Sequence, residues 1–275
     1  MTYATLMVHL ELGRSNEGLL QITGDLAQRF HAGVIGVAVC KPMQMLYGDG
    51  YVSGALIEQD RDEVARELKA AEDEFRSALG PRAGTLEWRS TVTYGLLTDY
   101  LAGEARCADL IITGVASGDM FDSSRAVNTS DLVMRAGRPV LIVPAAASTL
   151  KLDRVLIGWK DTREARRAVA DALPLLKLAG SVTVVEIASE VDLPAARSHL
   201  EDLVGWLKRH GVAAESLAQL STGDDAAGLY AIAQDLGADI FVAGAYGHSR
   251  MREWVLGGVT RDFLLSANRC SLVSH

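Results

Sequence analysis

A chain of 275 residues has room for one large domain or two small ones, since domains commonly take about 100–200 residues. Hydrophobic residues make up 49% and charged ones 23%, a globular balance that excludes the low hydrophobicity of a disordered chain. The formal net charge of −8, without a Lys/Arg run, opposes phosphate backbones and anionic lipid, so neither nucleic acid nor membrane is expected as a partner.

The charge is unevenly shared, −6 up to residue 150 and −2 beyond it, which makes the first half the poorer host for polyphosphate. Cys40, Cys107 and Cys270 lie far apart, form no C-x-x-C pair and leave an odd one over; they read as small core residues in a reducing compartment. No basic n-region precedes Arg14, and the most apolar short run, Gly33 to Cys40, is well short of the roughly 18 residues of a membrane span. A cytoplasmic location is expected.

In chain order, Leu6-Met7-Val8 reads as a short buried strand ahead of a helix carrying Leu19, Ile22, Leu26 and Phe30 on one face. Val34 to Cys40 is a second strand, followed by a helix with Val64, Leu68, Ala71, Phe75 and Leu79 inward. The acidic run from Glu58 to Glu74 interleaves with Arg61, Arg66, Lys69 and Arg76, the pattern of a solvated helix surface. Leu97, Leu101 and Ala105 mark a third helix, Asp109 to Gly114 a buried strand ending in Gly, and Pro139 to Val143 a closing strand. Pro144 to Thr149 has no pattern and reads as a linker.

The same order then recurs. Val155-Leu156-Ile157 precedes a helix with Val169, Leu173 and Leu176, and Val182 to Ile187 is followed by a helix that begins near Asp192 and Pro194 and carries Leu200, Leu203 and Leu207. Leu229, Ile232 and Leu236 lead to a strand at Asp239 to Gly244, 130 residues after its counterpart, and Ser271 to Val273 closes the half. Alternating strands and helices imply an α/β fold of two tandem, doubly wound, parallel five-stranded sheets with helices on both faces, Rossmann-like in type. The expected domains are residues 1–144 and 151–275.

The most informative stretch runs from Gly244 to Thr260, GAYGHSRMREWVLGGVT, leaving the fourth strand of the second half and entering its last helix. In open α/β sheets ligands sit beyond the carboxyl ends of the strands, and Gly there lets backbone amides approach phosphate oxygens. The incoming helix is expected to start near Gly258 or Val259, where free N–H groups and the Thr260 hydroxyl would receive an anion. His248, Ser249 and Arg250 follow the second glycine in the same loop, and His248, Arg250 and Arg252 would add positive charge.

Gly244, Gly247 and Gly257 reproduce the G-x2-G-x9-G spacing of the universal stress protein family, and the chain resembles a tandem member of it. The resemblance covers both halves in element order, whereas the motif occurs once. It implies an adenine nucleotide, most plausibly ATP with or without Mg, held by a stress-response regulatory protein. By resemblance the first-strand segment Gly158-Trp159-Lys160-Asp161-Thr162 would hold the ribose, and main-chain groups of Val184 or Val185 would meet the adenine. The chain departs from the family twice: Gly258 stands where a phosphate-binding Ser or Thr is usual, and Lys160 stands where an Asp would align, with Asp161 one residue on as the substitute. Thr162 matches the helix-capping hydroxyl.

In the first half Gly118 falls one residue late, no Gly occurs near 126 to 128, Asp119 and Asp122 would repel phosphate, and His9-Leu10-Glu11 offers no ribose acceptor. That half is not expected to bind ATP in the family manner. The histidines show no metal-ligand spacing and no nucleophile–base pair is visible, so no metal and no catalytic residue is assigned. The alternatives are a scaffold with a vestigial loop, and a weak ATPase or nucleotidyl enzyme. A homodimer through the family's dimer contact is also expected to be open to such a chain.

Overall fold

A computed structural model describes residues 2–42, 54–115, 124–245 and 269–275. Its contacts divide the chain into two units, Tyr3–Ala136 and, in the main, Gly137–His275.

The first unit contains β1 (Thr5–His9), α1 (Glu17–Phe30), β2 (Gly33–Cys40), α2 (Gly54–Leu79), β3 (Leu86–Val92), α3 (Leu97–Glu104), β4 (Leu110–Gly114) and α4 (Thr129–Ala136). Its strands run in parallel in the order β3-β2-β1-β4. Strands β1, β2 and β4 are buried on both faces, which is why they read as unbroken apolar runs rather than alternating ones. β3 lies at the edge and three of its seven residues are exposed. Helix α2 carries ion pairs from Lys69 to Asp73 (2.7 Å) and from Arg76 to Glu72 (2.8 Å), one turn apart on its outer face, as the interleaved charges predict.

The second unit contains β5 (Val140–Val143), β6 (Arg154–Gly158), α5 (Arg163–Leu176), β7 (Ser181–Ala188), α6 (Leu193–Arg209), β8 (Ala214–Leu220), α7 (Asp225–Asp235), β9 (Ile240–Gly244) and β10 (Cys270–Ser274). Its order is β5-β10-β9-β6-β7-β8, parallel except that β5 runs antiparallel to β10, with Ser271 opposite Ile142 and Val273 opposite Val140. The sequence reading closes the first half with β5. By its contacts this strand groups with the second unit, where it pairs antiparallel with β10 and both strands are fully buried.

Asp109 and Asp239, the first residues of the repeated pattern, have one structural task. Asp109 Oδ2 accepts from the amides of Ala4 (2.8 Å) and Thr5 (2.9 Å), and Asp239 Oδ2 accepts from the Arg154 amide (2.9 Å). Each carboxylate thereby satisfies the free donors at the start of the neighbouring first strand. The duplication therefore extends to a hydrogen-bonding device and not only to hydropathy.

Candidate functional site

The carboxyl ends of β6 and β9 meet at the start of α5. Gly158 pairs with Val185 on one side and Ala243 on the other, and the sheet continues for one more bond, from the Trp159 amide to the Val185 carbonyl (2.8 Å). A Cβ on Gly158 would stand 2.7 Å from the Phe241 ring. The chain then turns tightly, the Thr162 amide donating to the Lys160 carbonyl (2.7 Å), and the Thr162 hydroxyl accepts from the Ala165 amide (3.3 Å) as the N-cap of α5. The expected capping role of Thr162 is thus observed.

Gly244 ends β9 directly against that helix terminus. An added Cβ would lie 2.4 Å from Ala165 N and from Glu164 C, both backbone atoms, so only glycine fits. Glu164 is 2% exposed in the first turn of α5 and pairs with Arg163. Burial pushes its carboxyl up, but hydrogen bonds from Arg163, its own amide and Thr162 outweigh that and hold it below the usual range. A carboxylate in the first turn complements the helix dipole. The amides of Glu164 and Ala165 in the first turn of α5 are thus served by the side chains of Glu164 and Thr162.

The remaining charges of the turn are also engaged. Lys160 Nζ donates to the Ile187 carbonyl (3.0 Å), and Asp161 accepts from Arg166 through both Nη2 (2.6 Å) and Nε (3.1 Å). Val184 and Val185 lie inside β7, paired to β6 on one side and β8 on the other, and the Val185 carbonyl is the one taken by Trp159. Gly247, His248, Ser249, Arg250, Gly257, Gly258, Val259 and Thr260 lie outside the described residues. Of the sequence-derived set, the structure brings together Gly158 to Thr162, Val184, Val185 and Gly244 around one turn.

By register, His9 occupies in the first unit the place of Gly158, and Glu11 that of Lys160. His9 is fully buried, its Nδ1 stands 3.1 Å from Thr113 Oγ1, and burial lowers its pKa to about 4. Asn16 clamps the turn that follows, accepting from the Glu11 amide (3.0 Å) and donating to the Glu11 carbonyl (3.1 Å), while its own amide donates to Glu74 of α2 (3.1 Å). An imidazole thus fills the position at which the second unit has no side chain. The thiols divide: Cys40 and Cys270 are buried, burial pushing the latter up to about 12, whereas Cys107 is exposed, contrary to its reading as a core residue.

Glu186 escaped the sequence reading. Glu186 stands on the same face of β7 as Val182 and Val184, 4% exposed, with Oε2 3.7 Å from His199 Nδ1 on α6. Burial pushes its carboxyl up against the opposing pull of His199 and Lys160. A charge inside an otherwise apolar strand is the available signal. Trp159, 8% exposed, lines a groove between α5 and α6 with His199, Arg166 and Trp206. Among the described residues no group of His, Cys, Asp and Glu is arranged to hold a metal, and no helix is long and apolar enough to cross a membrane.

No protein-family model and no curated protein matches the chain. Solved structures do. A universal stress protein from Archaeoglobus fulgidus DSM 4304 is 15% identical with a TM-score of 0.74, the match covering 98% of this chain and 95% of that one. A protein from Pseudomonas aeruginosa UCBPP-PA14, named provisionally for the same family, is 15% identical with a TM-score of 0.64 over 99% and 93% of the two chains. A functionally unknown protein from Pseudomonas aeruginosa PAO1 is 15% identical with a TM-score of 0.59 over 99% and 92%. The chain has the α/β fold of these proteins along its whole length.

Proposed function

We propose that the chain is a tandem universal stress protein that binds one adenine nucleotide, ATP in the first instance, in its second half. The nucleotide shifts the protein between two states and so its choice of partner, the role of a cytoplasmic stress-response regulator. The observation that carries this reading is the backbone-to-backbone contact of Gly244 with the start of α5. It fixes the first glycine of the G-x2-G-x9-G spacing where β9 leaves the sheet, the position from which the following loop can turn amides toward an anion. The first half is read as non-binding, since His9 and the Asn16 clamp occupy the corresponding turn. Magnesium would accompany the phosphates. A homodimer and the absence of nucleic-acid binding belong to the same reading.

A second reading, a scaffold with a vestigial loop, draws support from Lys160 and Asp161, whose charged groups are already bonded within the protein. The two readings separate in equilibrium dialysis with ATP and AMP. The first gives one site per chain, weakened about tenfold or more by Gly247→Val, the size of effect expected when a side chain displaces a close backbone contact. No affinity for either nucleotide establishes the scaffold, and two equal sites contradict the asymmetry between the halves. Sustained turnover of ATP by pure protein, lost in the same variant, would instead make the chain an enzyme.

A further inference from the structure

β8 ends the strand order of the second unit, with β7 as its one neighbour among the described strands, and five of its seven residues are exposed. The Ser221 amide donates to the Ala188 carbonyl (2.8 Å), a bond that turns the backbone of Glu215, Leu217 and Gln219 toward β7. Ala214, Ser216, Ala218 and Leu220 therefore direct their amides and carbonyls away from the sheet, a row of donors and acceptors that another strand can take.

Open edges are commonly blunted by Lys, Arg or Pro. β8, with the sequence AESLAQL, has none of these, and Leu217 and Leu220 are exposed on it. Its counterpart in the first unit is β3, which meets β2 in the same register. Val92 stands opposite Cys40 as Leu220 stands opposite Ala188, and the Thr93 amide donates to the Cys40 carbonyl as that of Ser221 does to Ala188. At the centre of β3 is Arg89, joined to Glu87 (2.9 Å) and Glu104 (2.7 Å); at the centre of β8 is Leu217.

A second copy of either strand can be laid antiparallel to the first about an axis through that central residue. On β3 this sets Arg89 against Arg89 of the second copy, and like charges directly opposite are destabilising. On β8 it sets Leu217 against Leu217 and, on both sides of the axis, Glu215 against Gln219, an apolar pair flanked by carboxylate–amide pairs. These are the non-hydrogen-bonded positions, where opposed side chains come closest, and between them the small residues Ser216 and Ala218 exchange backbone bonds.

We propose that β8 is a self-pairing edge through which two copies of the chain form an isologous dimer, the sheet of one second unit continuing into the other. The proposal deepens the homodimer of the preceding reading by naming its surface, and it requires no nucleotide, so the two can fail separately.

The test is sedimentation equilibrium of the full chain without nucleotide. A contact confined to one strand is small, so a reversible monomer–dimer equilibrium with a Kd of about 10–100 μM is expected. Leu217→Arg, which copies the centre of β3, should raise that Kd about tenfold or more with an unchanged circular dichroism spectrum. At the exposed position 219, Gln219→Lys brings a cation to Glu215 and should tighten the dimer about threefold, whereas Gln219→Glu should loosen it by about the same factor. Thr91→Lys on β3 should leave the Kd where it was. A chain that stays monomeric up to about 1 mM, equal Kd values in Gln219→Lys and Gln219→Glu, or a dimer that Thr91→Lys abolishes and Leu217→Arg keeps would each overturn the proposal.

Discussion

Gly244 is held to glycine by backbone atoms, so its neighbours cannot yield as a side-chain tip would. Gly244→Ala is expected to destabilise the second unit by about 1–3 kcal/mol, the usual cost of overpacking, read as a lower urea midpoint with an unchanged slope. His9 makes a pH-dependent prediction. Its folded pKa is about 4 against an ordinary 6.5, so between those values the unfolded chain takes up a proton that the folded chain refuses. Stability is then complete above about pH 6.5 and is lost as the pH falls toward 4, by up to ~3 kcal/mol. His9→Leu should flatten that part of the stability–pH curve relative to the parent, and an unchanged curve would remove the imidazole from the acid response.

Among the elements, α5 depends on its first turn. Thr162→Ala removes the cap from the Ala165 amide and should cost about 1 kcal/mol, seen in thermal unfolding followed by circular dichroism. The strands rank by position in the sheet. Leu156, buried between β7, β9 and α7, should cost about 2–5 kcal/mol when cut to Ala, whereas Leu220→Lys on the exposed edge strand β8 should stay within about 0.5 kcal/mol. The same ranking explains which elements were legible in the sequence. β1, β2, β4, β6, β7 and β9 are buried on both faces and announce themselves as apolar runs, and α1, α2, α5 and α6 carry unbroken inward faces. β3 and β8 were identified only as places in an alternation, because the residues of an edge strand such as Glu87, Arg89, Glu215 and Gln219 carry little hydrophobic signal. At the site, glycine spacing and the Thr162 cap were readable as local chemistry. The engagement of Asp161 by Arg166, of Lys160 by Ile187 and the burial of Glu186 depend on partners brought up from other elements or the next turn, which spacing alone does not encode.

For the molecule as a whole, the division of the chain at residue 136 rather than at the patternless stretch after 143 changes how the second unit should be isolated. A fragment of residues 137–275 retains β5 against β10, whereas 151–275 strips β10 of its antiparallel neighbour and leaves an apolar strand edge open. The longer fragment should therefore unfold at a higher urea midpoint than the shorter one, and equal midpoints would mean that β10 gains no stability from β5. The proposed asymmetry between the halves sets the buried His9 imidazole and the Asn16 clamp at the end of one first strand against the side-chain-free Gly158 at the end of the other. Native mass spectrometry of the full chain, purified without added nucleotide and then titrated with ATP, addresses that asymmetry most directly. A single adduct of nucleotide mass that saturates at one per chain and vanishes in Gly247→Val is the predicted spectrum; two adducts per chain, or one that survives the substitution, would contradict it.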